Sequence, residues 1–237
     1  MKKEEFVIGV LGGMGTYATV HLFKEYADIF EAVKEWDRPR IIIDNRCTMP
    51  SRVRAFLYQE NVEKLVGEMS ESISNLMKAG CNRIILACNT SHLFLPPIYE
   101  ILPEASQKVV DIIDVCVNAL AEKKVRKVYL LASEGTIDSG IYQKKLAAAG
   151  ILCDVPDRDA YEMLRTCIEA VKQNEYSDEI CTVFRKLMNG QENCILGCTE
   201  LPVLYEKYKD FICCDNAYDP LNMAVRKLKE EYDQCEK

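Results

Sequence analysis

Two cysteines stand out by what precedes and follows them. Ile84-Ile85-Leu86-Ala87-Cys88-Asn89-Thr90-Ser91-His92 is an apolar run of strand length that ends in a thiol and passes at once into small polar residues. Asn193-Cys194-Ile195-Leu196-Gly197-Cys198-Thr199-Glu200 repeats the pattern in the second half of the chain. Each run sets a thiol at the C-terminal end of a short buried strand, the end at which open α/β sheets bind ligands. A free thiol titrates near about 8.5, so close to neutrality it can act as thiolate base or as proton donor. Two thiols facing one another across a cleft suit inversion at a carbon: one takes a proton from one face, and the other delivers a proton to the opposite face. Asn89, Thr90 and Thr199, with backbone amides at helix N-termini, can stabilise a thiolate or hold a carboxylate. The plainer reading is two buried strand-end cysteines. Spacing alone leaves both readings open.

A glycine turn is the next candidate. Gly13-x-Gly15-x-x-Ala18 follows a strand, as the dinucleotide fingerprint does in its G-x-G-x-x-A form. The acidic partner of that fingerprint is poorly placed, because Asp44 lies too far along. Glycine amides at a helix N-terminus can also hold a carboxylate, or the segment is simply a tight βα turn.

The elements that must position these groups alternate. Apolar runs predict strands over 6–11, 40–45, 83–88, 109–113, 127–132, 151–155, 193–197 and 211–215. Helical spacing predicts helices over 16–35, from about 57 to 80, over 114–123, through Ile141 to Gly150, over 161–172 and 176–188, and from Pro220 to the end. Pro96-Pro97 keep the segment after Cys88 short. Ser133-Glu134-Gly135-Thr136 reads as a turn. The order β-α-β-α-β occurs twice, so the expected fold is α/β: two pseudo-symmetric lobes, each a mainly parallel sheet covered by helices, with the active site in the cleft between them. Residues 1–115 with the C-terminal helix 216–237 form the expected first lobe, and 116–215 the second.

Bulk properties narrow the class. The 237 residues are 49% hydrophobic and 28% charged, with 30 basic against 37 acidic residues and a net charge of −7. That balance disfavours nucleic acid and anionic membranes as partners. No run approaches the ~18 apolar residues of a membrane span, and the start lacks the apolar core of a signal peptide. A cytoplasmic protein with reduced thiols is expected. There are twelve cysteines, no Cys-x-x-Cys pair and two histidines, so a zinc site has no signature. Most of the cysteines are expected to be small buried hydrophobes.

Taken together, Gly12-Gly13-Met14-Gly15, Ile43-Asp44-Asn45 with Met49-Pro50-Ser51-Arg52, Ala87-Cys88-Asn89-Thr90-Ser91-His92, Gly135-Thr136-Ile137 and Leu196-Gly197-Cys198-Thr199-Glu200-Leu201-Pro202 resemble the aspartate/glutamate racemase family, and its aspartate racemase branch in particular. The matches run in order through nearly the whole chain. The resemblance implies a racemase that needs neither pyridoxal phosphate nor metal, usually a homodimer, acting on a small amino acid with an acidic side chain favoured. It implies Cys88 and Cys198 as the two acid/base residues. Asn89, Thr90 and Thr199 would hold the α-carboxylate and amino group, and Arg52 a substrate carboxylate. Met14 and Ser91 lie in the matched motifs and join the expected substrate-binding set. Lys172 stands where the family often has a lysine near the cleft, although by sequence alone it reads as a surface charge. Glu200 is expected to orient the Cys198 loop or to bond nearby amides. His92 reads as a partner of the site or as the cap of a short helix.

Three positions depart from the family pattern. Thr16 replaces a proline, Ser51 an aspartate and Ser91 an alanine. They leave the chemistry in place and bear on substrate choice. Aspartate is the expected substrate. Glutamate or another amino acid, a maleate-isomerase-like addition to a double bond and a non-catalytic dicarboxylate- or nucleotide-binding protein are the alternatives.

Overall fold

The computed structural model describes residues 2–236. β1 (Val7–Gly12) is buried along its whole length, as a parallel strand covered on both faces should be. It pairs in parallel with β2 (Arg40–Asn45) and β3 (Arg83–Leu86), and β3 pairs with the short β4 (Val109–Val110). A second sheet contains β5 (Lys127–Leu131), β6 (Leu152–Asp154), β7 (Gln191–Leu196) and β8 (Cys214–Tyr218), again all parallel. The orders are β2-β1-β3-β4 and β6-β5-β7-β8, so one topology is used twice.

Parallel neighbours need crossover connections, and helices supply them. In the first half these are α1 (Thr16–Ile29), α2 (Arg52–Tyr58), α3 (Val62–Lys78) and α4 (Leu95–Ile101), and α5 (Ile112–Glu122) leads from the last strand of the first sheet to the first strand of the second. In the second they are α6 (Glu134–Ser139), α7 (Ile141–Ala148), α8 (Ala160–Gln173), α9 (Asp178–Met188) and α10 (Leu201–Tyr208); the final α11 (Pro220–Asp233) follows the last strand. The chain divides into two compact units. One runs to Ile112 and includes the chain from Leu221 onward; the other is Ile113–Pro220.

Each unit has its own apolar core. In the first, α3 turns Leu65, Met69, Ile73 and Leu76 inward at helical spacing. They cluster with Leu11, Ile84, Leu86 and Ile98. In the second, Val128, Leu130, Leu164, Phe184, Leu187 and Ile195 are buried. Each such side chain contributes about 1.5–3 kcal/mol on full burial. Among the described residues no helix is long and apolar enough to cross a membrane.

Several elements differ from the sequence expectation. α1 stops at Ile29, six residues short: Phe30 leaves helical geometry, and the Arg38 Nε–H takes its carbonyl at 2.9 Å. The expected single helix after Arg52 is two, because Gln59 and Asn61 both adopt positive φ (56° and 55°) and break it without a glycine or proline. Ser133-Glu134-Gly135-Thr136 is not a free turn. Ser133 caps α6 by accepting from the Thr136 N–H, and Gly140 at φ 67° separates α6 from α7. α10 was not anticipated; Pro202 sits in its first turn, where the missing N–H costs nothing. The last strand begins at Cys214 rather than 211, since Lys209–Phe211 is a 3₁₀ turn.

The cysteines also depart from expectation. All twelve are free thiols, but only Cys81, Cys88, Cys116, Cys167 and Cys194 are buried. Cys153 and Cys214 lie on the edge strands β6 and β8, and Cys47 and Cys213 are exposed in connections.

Candidate functional site

In the first unit the site residues gather where β1, β2 and β3 end. Gly13 has φ 78°, and a Cβ there would fall 2.4 Å from the Arg46 carbonyl carbon. Glycine is needed because the chain leaving β2 packs directly against the turn. The Gly13 N–H donates to Thr19 Oγ1 at 3.2 Å. The innermost amide of the turn is thus used within the fold, and backbone fills the space beside it, which favours the tight βα turn over a phosphate cradle. Thr16 opens α1; its hydroxyl lies 3.3 Å from Cys47 Sγ and accepts from Asn45 Nδ2 at 3.4 Å. The residue standing in place of a proline therefore joins the helix start to the loop after β2.

Met14, Arg52 and Ser91 come together although they are far apart in sequence. Arg52 Nη2 donates to the Met14 carbonyl at 3.0 Å, and Nη1 donates to the Pro50 carbonyl at 3.2 Å. The Nε–H of the same guanidinium is buried and has no partner, so it is among the donors the fold leaves open to a carboxylate. Ser91 Oγ donates to Met14 Sδ at 2.9 Å. Its hydroxyl is fully buried and engaged inward, on the framework. Ser51 Oγ accepts from the Arg54 N–H at 3.3 Å and caps α2. Serine and aspartate are equivalent caps, so that departure keeps its local role.

Cys88 lies two residues past the end of β3, is 7% exposed, and packs in the apolar cluster with Met14. Asn89, Thr90 and Ser91 follow, all buried, as the chain enters the 3₁₀ turn Thr90–Phe94. His92 has a larger part than its sequence context suggested. It is buried, with Nδ1 3.0 Å from the Cys88 carbonyl and 3.2 Å from that of Asn89. The Ile112 N–H donates to its Nε2 at 3.4 Å. With Nε2 accepting, the ring proton is assigned to Nδ1, which donates to the turn. His92 thereby ties the Cys88 turn to the first residue of α5. The only sequence signal was its position four residues after the thiol.

In the second unit, Cys198 lies two residues past the end of β7. Gly197 makes that exit possible: its N–H donates to the Leu131 carbonyl, and a Cβ would meet Leu130 Cδ1 at 2.8 Å. The half-buried Cys198 thiol donates to Glu200 Oε2 at 3.0 Å. Thr199 Oγ1 donates to the same oxygen at 3.4 Å. Glu200 is 2% exposed, and its Oε1 is buried without a partner. Lys172, on α8, donates to Glu169 at 2.8 Å. Burial pushes its ammonium down, but the Glu169 hydrogen bond and the fields of Glu200 and Cys198 outweigh that, so its pKa lies above the usual lysine value. Lys172, Thr199, Glu200 and Cys198 therefore share one electrostatic neighbourhood, which the surface-charge reading of Lys172 did not anticipate.

Comparison with known proteins identifies the family and the fold. A model of the family described as Asp/Glu/hydantoin racemase matches residues 11–228. The solved structure of Picrophilus torridus aspartate racemase is 27% identical, covers 98% of this chain and 96% of that one, and superposes with a TM-score of 0.80. The broad specificity amino-acid racemase RacX of Bacillus subtilis (strain 168) is 25% identical over 204 residues, 82% of this chain and 86% of that one. Glutamate racemase of Aquifex aeolicus (strain VF5) is 25% identical over 170 residues; the match spans 71% of this chain and 65% of that enzyme's length. With the family's pattern running from the end of β1 into α11, the chain belongs to the Asp/Glu/hydantoin racemase family of isomerases.

Proposed function

We propose that the chain racemises aspartate without a cofactor, using Cys88 and Cys198 as the two acid/base groups. The observation that carries this reading is the equivalence of the two thiols. Each lies two residues past the third strand in chain order of one of two identically ordered sheets, and each is followed by small polar residues. In this scheme one thiolate takes the α-proton from one face, and the other thiol returns a proton to the opposite face. The carbanion formed in between needs donors around the α-carboxylate. Asn89, Thr90 and Thr199 are assigned to the carboxylate and amino group. Arg52, through its unpartnered Nε–H, is assigned to the side-chain carboxylate. Lys172 and Glu200 complete the charge balance around Cys198. Met14 and Ser91 are assigned to holding Arg52 and the Cys88 turn in place.

Aspartate is favoured over glutamate by the match to Picrophilus torridus aspartate racemase, which spans nearly the whole of both chains. The family resemblance also implies a homodimer, which sedimentation equilibrium would measure. The deciding experiment is a chiral assay across the amino acids in deuterated water, with no cofactor added. Parent protein should racemise aspartate fastest. Cys88→Ala and Cys198→Ala should each lose racemisation while retaining α-proton exchange from one enantiomer. Racemisation at the parent rate by both variants would sink the two-thiol scheme.

A further inference from the structure

The first unit holds a cavity of about 870 Å³ that none of the groups above uses. Its wall includes residues just before β1 and the first residue of β2, so it lies where those strands begin. Cys88 and Met14 lie where the parallel strands end. Lys2, Lys3, Arg38 and Arg40 line the cavity against two carboxylates, Glu4 and Asp37. That is a local positive surplus on a chain of net charge −7.

These cations are not all neutralised by neighbours. Lys2 Nζ is 3.9 Å from Glu4, a weak exposed pair, and Arg38 is held by Glu35 at 3.0 Å. Arg40 forms no ion pair among the described residues. Lys3 Nζ sits 4.6 Å from the centre of the Tyr232 ring. The wall is not a loose tail. Lys2 forms a parallel bridge with Glu236, and the Lys3 N–H donates to the Glu236 carbonyl at 2.9 Å. Trp36, the only tryptophan in the chain, also lines the cavity and is 78% exposed.

From these features we infer that the cavity binds a nucleoside phosphate. Its volume lies in the range of small-molecule sites. The exposed indole offers a stacking surface for a flat ring. Arg40 offers a planar fork that matches phosphate, and Lys2 and Lys3 add point charges. Phosphate or base alone would use only part of this surface. The site is separate from the racemase residues, so the inference stands or falls independently of them.

Trp36 makes the test direct, because all tryptophan emission comes from the cavity. ATP, adenosine and pyrophosphate would be titrated into the full chain at low ionic strength, following emission and, in parallel, heat. ATP is expected to bind saturably and to quench the emission, with adenosine and pyrophosphate each at least about tenfold weaker. The Lys3→Glu, Arg40→Glu double variant should lose at least about tenfold in ATP affinity while aspartate racemisation is unchanged. Trp36→Ala, read by calorimetry, should bring ATP affinity down towards that of pyrophosphate. Absence of heat and quenching with ATP at about 1 mM would overturn the inference. So would unchanged affinity in both variants, or pyrophosphate binding as tightly as ATP.

Discussion

The Cys198 thiol donates to one oxygen of Glu200 at 3.0 Å, while the other oxygen of that buried carboxylate has no partner. A carboxylate in this position fixes the direction of the sulfur and can exchange a proton with it. Glu200→Gln keeps the shape and an acceptor but removes the charge. Its kcat on aspartate is expected to fall about ten- to a hundredfold. Because Glu200 touches Cys198, deuterium exchange should slow more from one enantiomer than from the other. Equal slowing from both would assign Glu200 to general folding instead.

Arg52 gives a prediction that separates binding from framework. Arg52→Lys retains charge but loses the planar fork. KM for aspartate is expected to rise about ten- to a hundredfold, while turnover of a neutral amino acid changes far less. Loss of the bonds to Met14 and Pro50 should cost about 1–2 kcal/mol of stability, read as a lower urea midpoint. A uniform loss on acidic and neutral substrates would contradict the assignment of Arg52 to the side-chain carboxylate.

Gly13→Ala should be one of the more damaging single changes. The positive φ is strained for alanine, and the added carbon would meet the Arg46 backbone, which cannot swing aside as a flexible side chain would. About 2–4 kcal/mol of destabilisation is expected, measurable as a fall in Tm. Gly80→Ala is the control. It shares a positive φ, but a Cβ there meets nothing within 4 Å, so its loss should be visibly smaller.

Thiol chemistry should follow environment. Burial pushes Cys153 up to about 11 and Cys167 up to about 12. At pH 8 their thiolate fractions are then on the order of 0.1% or less. Iodoacetamide at that pH is expected to label the exposed Cys47 and Cys213 first and to leave Cys167 intact. Raising the pH towards 11 should bring Cys153 into reaction before Cys167. Mass spectrometry of the labelled peptides reads this order directly.

Much of the fold was legible because buried parallel strands are continuous apolar runs. β1 is such a run throughout, β3 and β5 after their first residue and β7 only in its last three, Cys194-Ile195-Leu196; all four fall where the sequence places them to within a few residues. Breaks inside helices were not legible. Gln59 and Asn61 take positive φ with no glycine to announce it, and α10, with Pro202 in its first turn, was not anticipated. At the site, both thiols were visible locally. Their surroundings depend on contacts across long separations: Arg52 reaches Met14 over 38 residues and Ser91 reaches Met14 over 77. The family resemblance named these residues, but it did not show that Ser91 bonds Met14 or that His92 grips the Cys88 turn.

The bonds from Arg52 to two backbone carbonyls have a thermodynamic consequence. A free arginine side chain carries roughly 2 kcal/mol of rotamer entropy. Here that freedom is lost when the first unit folds, since the guanidinium is already clamped between the Met14 and Pro50 carbonyls. On the proposed assignment, a carboxylate arriving at the unpartnered Nε–H would meet a donor that is already immobilised. Its capture would then require little further ordering of the protein, so more of the electrostatic attraction would be retained as affinity.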